Sequence, residues 1–244
     1  MQLVHDGSGD PVVFGRPPGT TVRIGVPAPE PVRAVVVADV LRRILEDRYE
    51  LQVFTTVVRP GEEPEGHEWA VLDHVLRALW IPPPTHFADS FPDRPVNVVV
   101  EPEGHHGAVP EGVLRVRVGP VRIADRVLAG APDFLPLRLA LLNTPLRAPV
   151  PVGRAELDRA ESTVERWRNR VASWAGNASA RMPQEVVTEA YAALDDDVDV
   201  PGVLTVLERL EADPSIADGA KFEVFVHLDR FLGLDLPRYL GSGH

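Results

Sequence analysis

The stretch TVRIGVPAPEPVRAVVVADVLRRILEDRYELQVFTTVV, residues 21–58, decides the fold. It opens on Thr21–Val26, a short run rich in β-branched residues that stops at Pro27 and reads as a strand. From Pro31 to Arg48 the period changes, and Val32, Val35, Val36, Val40, Leu41, Ile44 and Leu45 fall on one wide stripe of a helix. Glu50–Val58 then reads as a buried strand. Strand, helix, strand in so short a span is the unit of a parallel sheet, because parallel neighbours need a crossover connection.

Working outward, Glu65–Trp80 suits a second helix, with Trp69, Leu72, Leu76 and Leu79 on one face and Pro82, Pro83 and Pro84 as its stop. Val96–Val100 reads as a third strand and Gly112–Val118 as a fourth. The alternation predicts an α/β, Rossmann-like domain with right-handed crossovers over residues 1–130. Ligands of such a sheet bind beyond the carboxyl ends of its strands. That points to Val26–Glu30, Val58–Glu62 and Glu101–Gly107.

Residues 131–244 read as a helical bundle. Leu157, Ala160, Val164, Trp167, Val171 and Trp174 recur at helical spacing between Arg154 and Trp174. Pro183 opens a helix carrying Val187, Ala190, Tyr191 and Leu194. After Asp195–Asp197 another follows with Val203, Val206, Leu207 and Leu210, and a last one after Asp213 and Pro214 with Phe222, Phe225, Leu228 and Leu232. The aromatic residues of these stripes are core material.

Composition narrows the function. The chain has no Cys, which excludes disulfides and thiolate metal sites. A net charge of −11 opposes broad nucleic-acid affinity, which depends on cations neutralising phosphates. Lys221 is the sole lysine. No apolar run is long enough to span a membrane, and no secretory signal precedes the first strand, so a cytoplasmic protein without membrane contact is expected.

Several words, in order along the chain, resemble the cysteinyl-tRNA synthetases, class I enzymes. Asp39–Arg43 (DVLRR) is similar to the end of that family's first helix, and His74–His86 (HVLRALWIPPPTH) to its helix ending in PPth. Pro136–Leu142 and Thr144–Ala148 resemble the segments that follow its signature loop. Leu194–Gly202 (LDDDVDVPG) is close to the LDDDlnTP of its helical domain, and Asp218–Glu223 and Leu232–Leu236 keep the register. The cysteine ligase of mycothiol synthesis resembles the chain almost as well. The resemblance implies a HUP-type α/β domain followed by a DALR-type helical bundle.

The residues that carry the family's chemistry do not follow. Its HIGH-type tetrapeptide corresponds to Gly25–Arg33, which contains no His and carries Glu30. Its KMSKS-type loop corresponds to Gly119–Asp125, which contains no lysine. Of its four zinc ligands, Gly25 stands at the first cysteine, the second is excluded by composition, and Val109 stands where a Glu would follow His105. The resemblance therefore implies a non-catalytic paralogue, with no catalytic residues, no metal and no cofactor, acting on a protein partner as a binding or regulatory module.

Two alternatives remain at this level. The chain could be a divergent ligase binding ATP or an aminoacyl adenylate, or a tRNA-binding accessory protein, which its charge disfavours. The candidate contacts for a small anionic or nucleotide ligand are His105, His106, Arg122 and Arg126. Arg115 and Arg117 alternate on one strand face and complete the densest basic cluster. His67 and His74 are too far apart on their helix for a metal pair, and Asp195, Asp196, Asp197 and Asp199 read as a helix terminus rather than a cation site.

Overall fold

Parallel strand pairing organises the first half of the chain, and helix packing the second. The computed structural model describes residues 1–4, 11–27, 32–58, 74–88, 90–91, 96–105, 111–123 and 133–241. It divides into two compact units: Met1–Arg122 with Leu146–Val150, and Ile123–Pro145 with Pro151–His244.

In the first unit, β1 (Gln2–Val4) and β2 (Pro11–Val13) form an antiparallel pair. The main sheet contains β3 (Thr21–Pro27), β4 (Gln52–Val58), β5 (His86–Ala88), β6 (Val98–Pro102) and β7 (Leu114–Val118). All its pairings are parallel, in the order β5-β4-β3-β6-β7. This is the Rossmann-like α/β arrangement expected from residues 21–58. Strand order reverses between β3 and β6, where such sheets bind ligands.

Helix α1 (Val32–Asp47) makes the first crossover, and every residue from Arg33 to Leu41 is buried. It packs on β3, β4 and β6. Ile24 aligns with Val98, and Val98 with Leu114, so these side chains share one face of the sheet. Gly25, Val99 and Arg115 line up on the other, as do Glu101 and Arg117.

Some boundaries differ from the sequence reading, each for a local reason. The second strand of the sheet begins at Gln52 because Glu50 adopts a left-handed turn (φ 55°) and its carbonyl accepts the Gly19 N–H. The predicted strand Val96–Val100 shifts to Val98–Pro102. Asn97 instead clasps β3, its Oδ1 accepting the Arg23 N–H at 2.8 Å while its own N–H bonds the Arg23 carbonyl at 2.9 Å. Of the predicted helix Glu65–Trp80, residues 74–78 are helical, and 59–73 lie outside the described residues. The short β5 was unforeseen, because prolines precede it and it spans only three residues.

The second unit contains α2 (Leu135–Leu142), α3 (Arg154–Trp174), α4 (Gln184–Asp195), α5 (Val200–Ala212) and α6 (Asp218–Leu232), followed by a 3-10 turn, Leu236–Tyr239. The stripe Ala160, Val164, Trp167, Val171, Trp174 is buried. Phe225 packs edge-on against both tryptophans, with ring centroids 5.7 and 5.1 Å apart. Asp199 caps α5 by accepting the Gly202 N–H, so the acidic word ends one helix and starts the next.

A polar network holds the C-terminal turn. Arg138 Nε bonds the Leu232 carbonyl at 2.6 Å, and Arg168 reaches the carbonyls of Leu234 and Asp235. Asp229 accepts the N–H groups of Leu234 and Leu236. Asp133 receives Arg168 at 2.6 Å and Arg238 at 2.5 Å. Burial would raise the Asp133 pKa, but the Leu135 N–H and the two guanidinium groups outweigh it and hold the carboxyl below its ordinary range. Lys221 is 5% exposed, with its ammonium on the Glu211 carbonyl at 3.0 Å and 5.8 Å from the Trp174 ring centre.

Candidate functional site

The run Val98-Val-Val-Glu-Pro102 carries one charge into a buried strand. Strand alternation places Glu101 on the same face as Val99, and parallel register sets Arg117 beside it. Glu101 is fully buried. Its Oε1 accepts Arg115 through Nε and Nη2, both at 2.7 Å, and lies 3.5 Å from Arg117 Nε. Its Oε2 is buried without a hydrogen-bond partner. A carboxylate thus sits beneath two arginines near the reversal point of the sheet, at the carboxyl end of β6.

This arrangement corrects the expectation for the basic cluster. Arg115 and Arg117 share a face, as their alternation implies, but they turn onto Glu101. The sequence signal for this was present: a Val-Val-Glu ending faces an Arg-Val-Arg strand. Reading the strands separately hides the pair, which only register reveals.

Beside this cluster, Gly25 leaves no space for a side chain. A Cβ there would lie 2.4 Å from the Phe91 ring. Phe91 packs with Val96, Val99 and Val113 in an apolar cluster. At the position where the resemblance would put a zinc-binding thiol, an aromatic ring occupies the side-chain volume.

Arg33, near the start of α1, does not face solvent as a phosphate ligand would. It is 2% exposed, and its Nη1 donates to the carbonyls of Ala148 (2.6 Å) and Gly119 (3.3 Å). Burial pushes its pKa down to about 10, which still leaves the guanidinium charged at neutral pH. The Gly119 N–H bonds the Leu146 carbonyl, and the Val150 N–H bonds that of Pro120. Gly119 itself admits no Cβ, which would lie 2.2 Å from the Ala148 oxygen. The loop at the expected KMSKS position is thus tied to Leu146–Val150.

Of the candidate ligand contacts, His105 is half-buried in the turn after β6, its N–H on the Pro102 carbonyl at 3.1 Å. Arg122 is exposed on β8 (Val121–Ile123). Among the described residues no hydrogen bond or ion pair joins His105 with Arg122. His106 and Arg126 lie outside the described residues, as do Glu30, His67, Val109 and Asp125. His74 is exposed. No group of three or more His, Asp or Glu among the described residues could hold a metal ion. No helix of the described residues is long and apolar enough to cross a membrane.

An open recess of about 320 Å³, solvent included, lies over the opposite face, between α1, β4 and the segment ending at Pro84. Val35, Val57, Leu76 and Ile81 line it, with Asp39 and Arg42 at its polar side. Asp39 is engaged on both oxygens, by Arg42 and by Arg43, each at 2.8 Å. The buried core of the DVLRR word is therefore an ion-paired helix carboxylate.

No protein-family model matches this chain, and no curated protein is significantly similar to it in sequence.

Proposed function

We propose that the protein is a non-catalytic, cysteinyl-tRNA synthetase-like paralogue that works as a binding or regulatory module. The observation that carries this reading is the Glu101–Arg115–Arg117 cluster near the reversal point of the sheet. Transfer of an adenylyl group needs cations aimed at phosphate oxygens. Here the two arginines of β7 meet a buried carboxylate instead, and Arg33 is spent on backbone carbonyls. The Phe91 ring against Gly25 supports the loss of the thiol-reading metal in the same reading. The words that resemble those of the synthetases, from Asp39 to Leu236, support the family in this reading.

The test is a thermal titration with ATP, cysteine and a non-hydrolysable cysteinyl-adenylate analogue, paired with an ATP–pyrophosphate exchange assay. A ligand at a hundred times its Kd adds about 2.7 kcal/mol to stability, an easily visible shift. The expected result is no shift and no exchange. A rise with the adenylate analogue would replace this reading with a divergent ligase. Binding of bulk tRNA at low salt would favour a tRNA accessory protein.

A further inference from the structure

In the helical unit, Tyr191 on α4 meets His227 on α6, with the phenol oxygen 2.5 Å from Nε2 of the imidazole. Phe231, one turn after His227 and 1% exposed, stands edge-on to both rings, its centroid 5.9 Å from that of His227 and 6.1 Å from that of Tyr191. This wall fixes the pair, while Tyr191 and His227 are each only half-buried. A hydroxyl within hydrogen-bond reach of an imidazole is the arrangement that activates a weak nucleophile. The chain's other two tyrosines, equally half-buried, sit in different company. Tyr49 lies under the Arg48 guanidinium, 5.6 Å from its ring centre. Tyr239 donates to Glu165 at 2.7 Å, a bond that pushes its pKa up. An ordinary carboxylate is about two units less basic than an imidazole, so Glu165 is a poor base for a phenol. The chain has no Cys to supply a thiolate.

We infer that Tyr191 is a nucleophilic tyrosine with His227 as its base, an acceptor site for a phosphoryl group. With the ring proton on Nδ1, Nε2 accepts the phenolic O–H. As the phenol oxygen bonds to phosphorus, the bond from phosphorus to its leaving group breaks. The leaving group departs with that electron pair, and the phenolic proton passes to Nε2. The class of electrophile follows from what the product must withstand. A carboxylic ester of Tyr191 would be hydrolysed through the same imidazole, whereas a phosphoester persists. The inference rests on the helical unit alone and does not depend on the proposed function.

Labelling of the full chain with a fluorophosphonate, whose leaving group is fluoride, tests it when the adducts are located by peptide mass spectrometry. At neutral pH Tyr191 should be labelled about 100-fold faster than Tyr49 or Tyr239, the lower end of what a positioned base contributes. His227→Gln removes the base, and His227→Phe removes it while keeping a ring against Phe231. In both variants labelling of Tyr191 should fall to the rate of Tyr239. Circular dichroism and an unchanged Tyr239 rate show that the helical unit is still folded. A wild type in which the three tyrosines react alike, or in which Tyr191 stays unlabelled, would overturn the proposal. So would folded His227 variants that label Tyr191 as fast as the wild type does.

Discussion

Arg115 places both Nε and Nη2 2.7 Å from a single oxygen of Glu101, leaving the second carboxylate oxygen buried and bare. The pair is therefore one-sided: strong at Oε1, costly at Oε2.

That asymmetry predicts how the pair responds to substitution. Breaking a buried pair leaves an uncompensated charge, whereas replacing both members with apolar residues is often neutral. Arg115→Ala should cost about 2 kcal/mol, discounted because the arginine is partly exposed and Arg117 remains. Glu101→Leu with Arg115→Met should recover most of that loss. Urea denaturation of the two singles and the double measures the coupling. Additive losses would show that the ion pair contributes nothing.

The contact between Gly25 and Phe91 makes a second prediction. Gly25→Ala should destabilise the α/β unit by about 1–3 kcal/mol, the usual range for overpacking. Phe91→Ala also costs stability on its own, but in the double variant the new methyl has room, so the combined loss should fall short of the sum. A strictly additive double would mean that position 25 is not limited by that ring.

Acid should act on the second unit through Asp133. Its folded pKa lies below the unfolded value, because the Leu135 N–H, Arg168 and Arg238 overcome the effect of burial. A depressed carboxyl contributes stability that is present above the unfolded pKa, near 4, and is lost as pH falls through the folded value. Asp133→Asn should thus be less stable than the wild type by a constant amount from neutral pH to about pH 5, with the gap closing below about pH 4. A gap unchanged in acid would assign the effect to shape rather than charge.

Arg33 should govern how firmly Leu146–Val150 is held. Arg33→Ala removes the donor to Ala148 and Gly119, at a cost of about 1–3 kcal/mol for carbonyls left without a partner. Hydrogen exchange should speed up at the Gly119 and Val150 amides before the β3–β4 ladder is affected. Uniform acceleration across the sheet would point to global destabilisation instead.

Much of the architecture was legible because periodicity survives in a single sequence. The helix read from Arg154 to Trp174 has the same ends as α3, and residues 21–58 contain a complete strand–helix–strand unit. β5 escaped because three residues after a proline run carry no period. That omission also hid the reversal of strand order, since the strand that follows the predicted helix Glu65–Trp80 is β5 rather than β6. The site was less legible for a different reason. Arg115 and Arg117 look like free cations until cross-strand register sets Glu101 beneath them. The role of Arg33 is equally hidden, because its acceptor, Ala148, lies more than a hundred residues further along the chain.

The placement of Lys221 has a practical outcome for chemistry at amines. It is the chain's sole lysine, and its nitrogen is enclosed between Trp174 and a backbone oxygen. Acylating reagents, amine cross-linkers and enzymes that attach tags to lysine would find no accessible side-chain target in the folded molecule. Under native conditions such reagents should label the α-amino group alone, and labelling at Lys221 becomes a direct report of the helical unit opening.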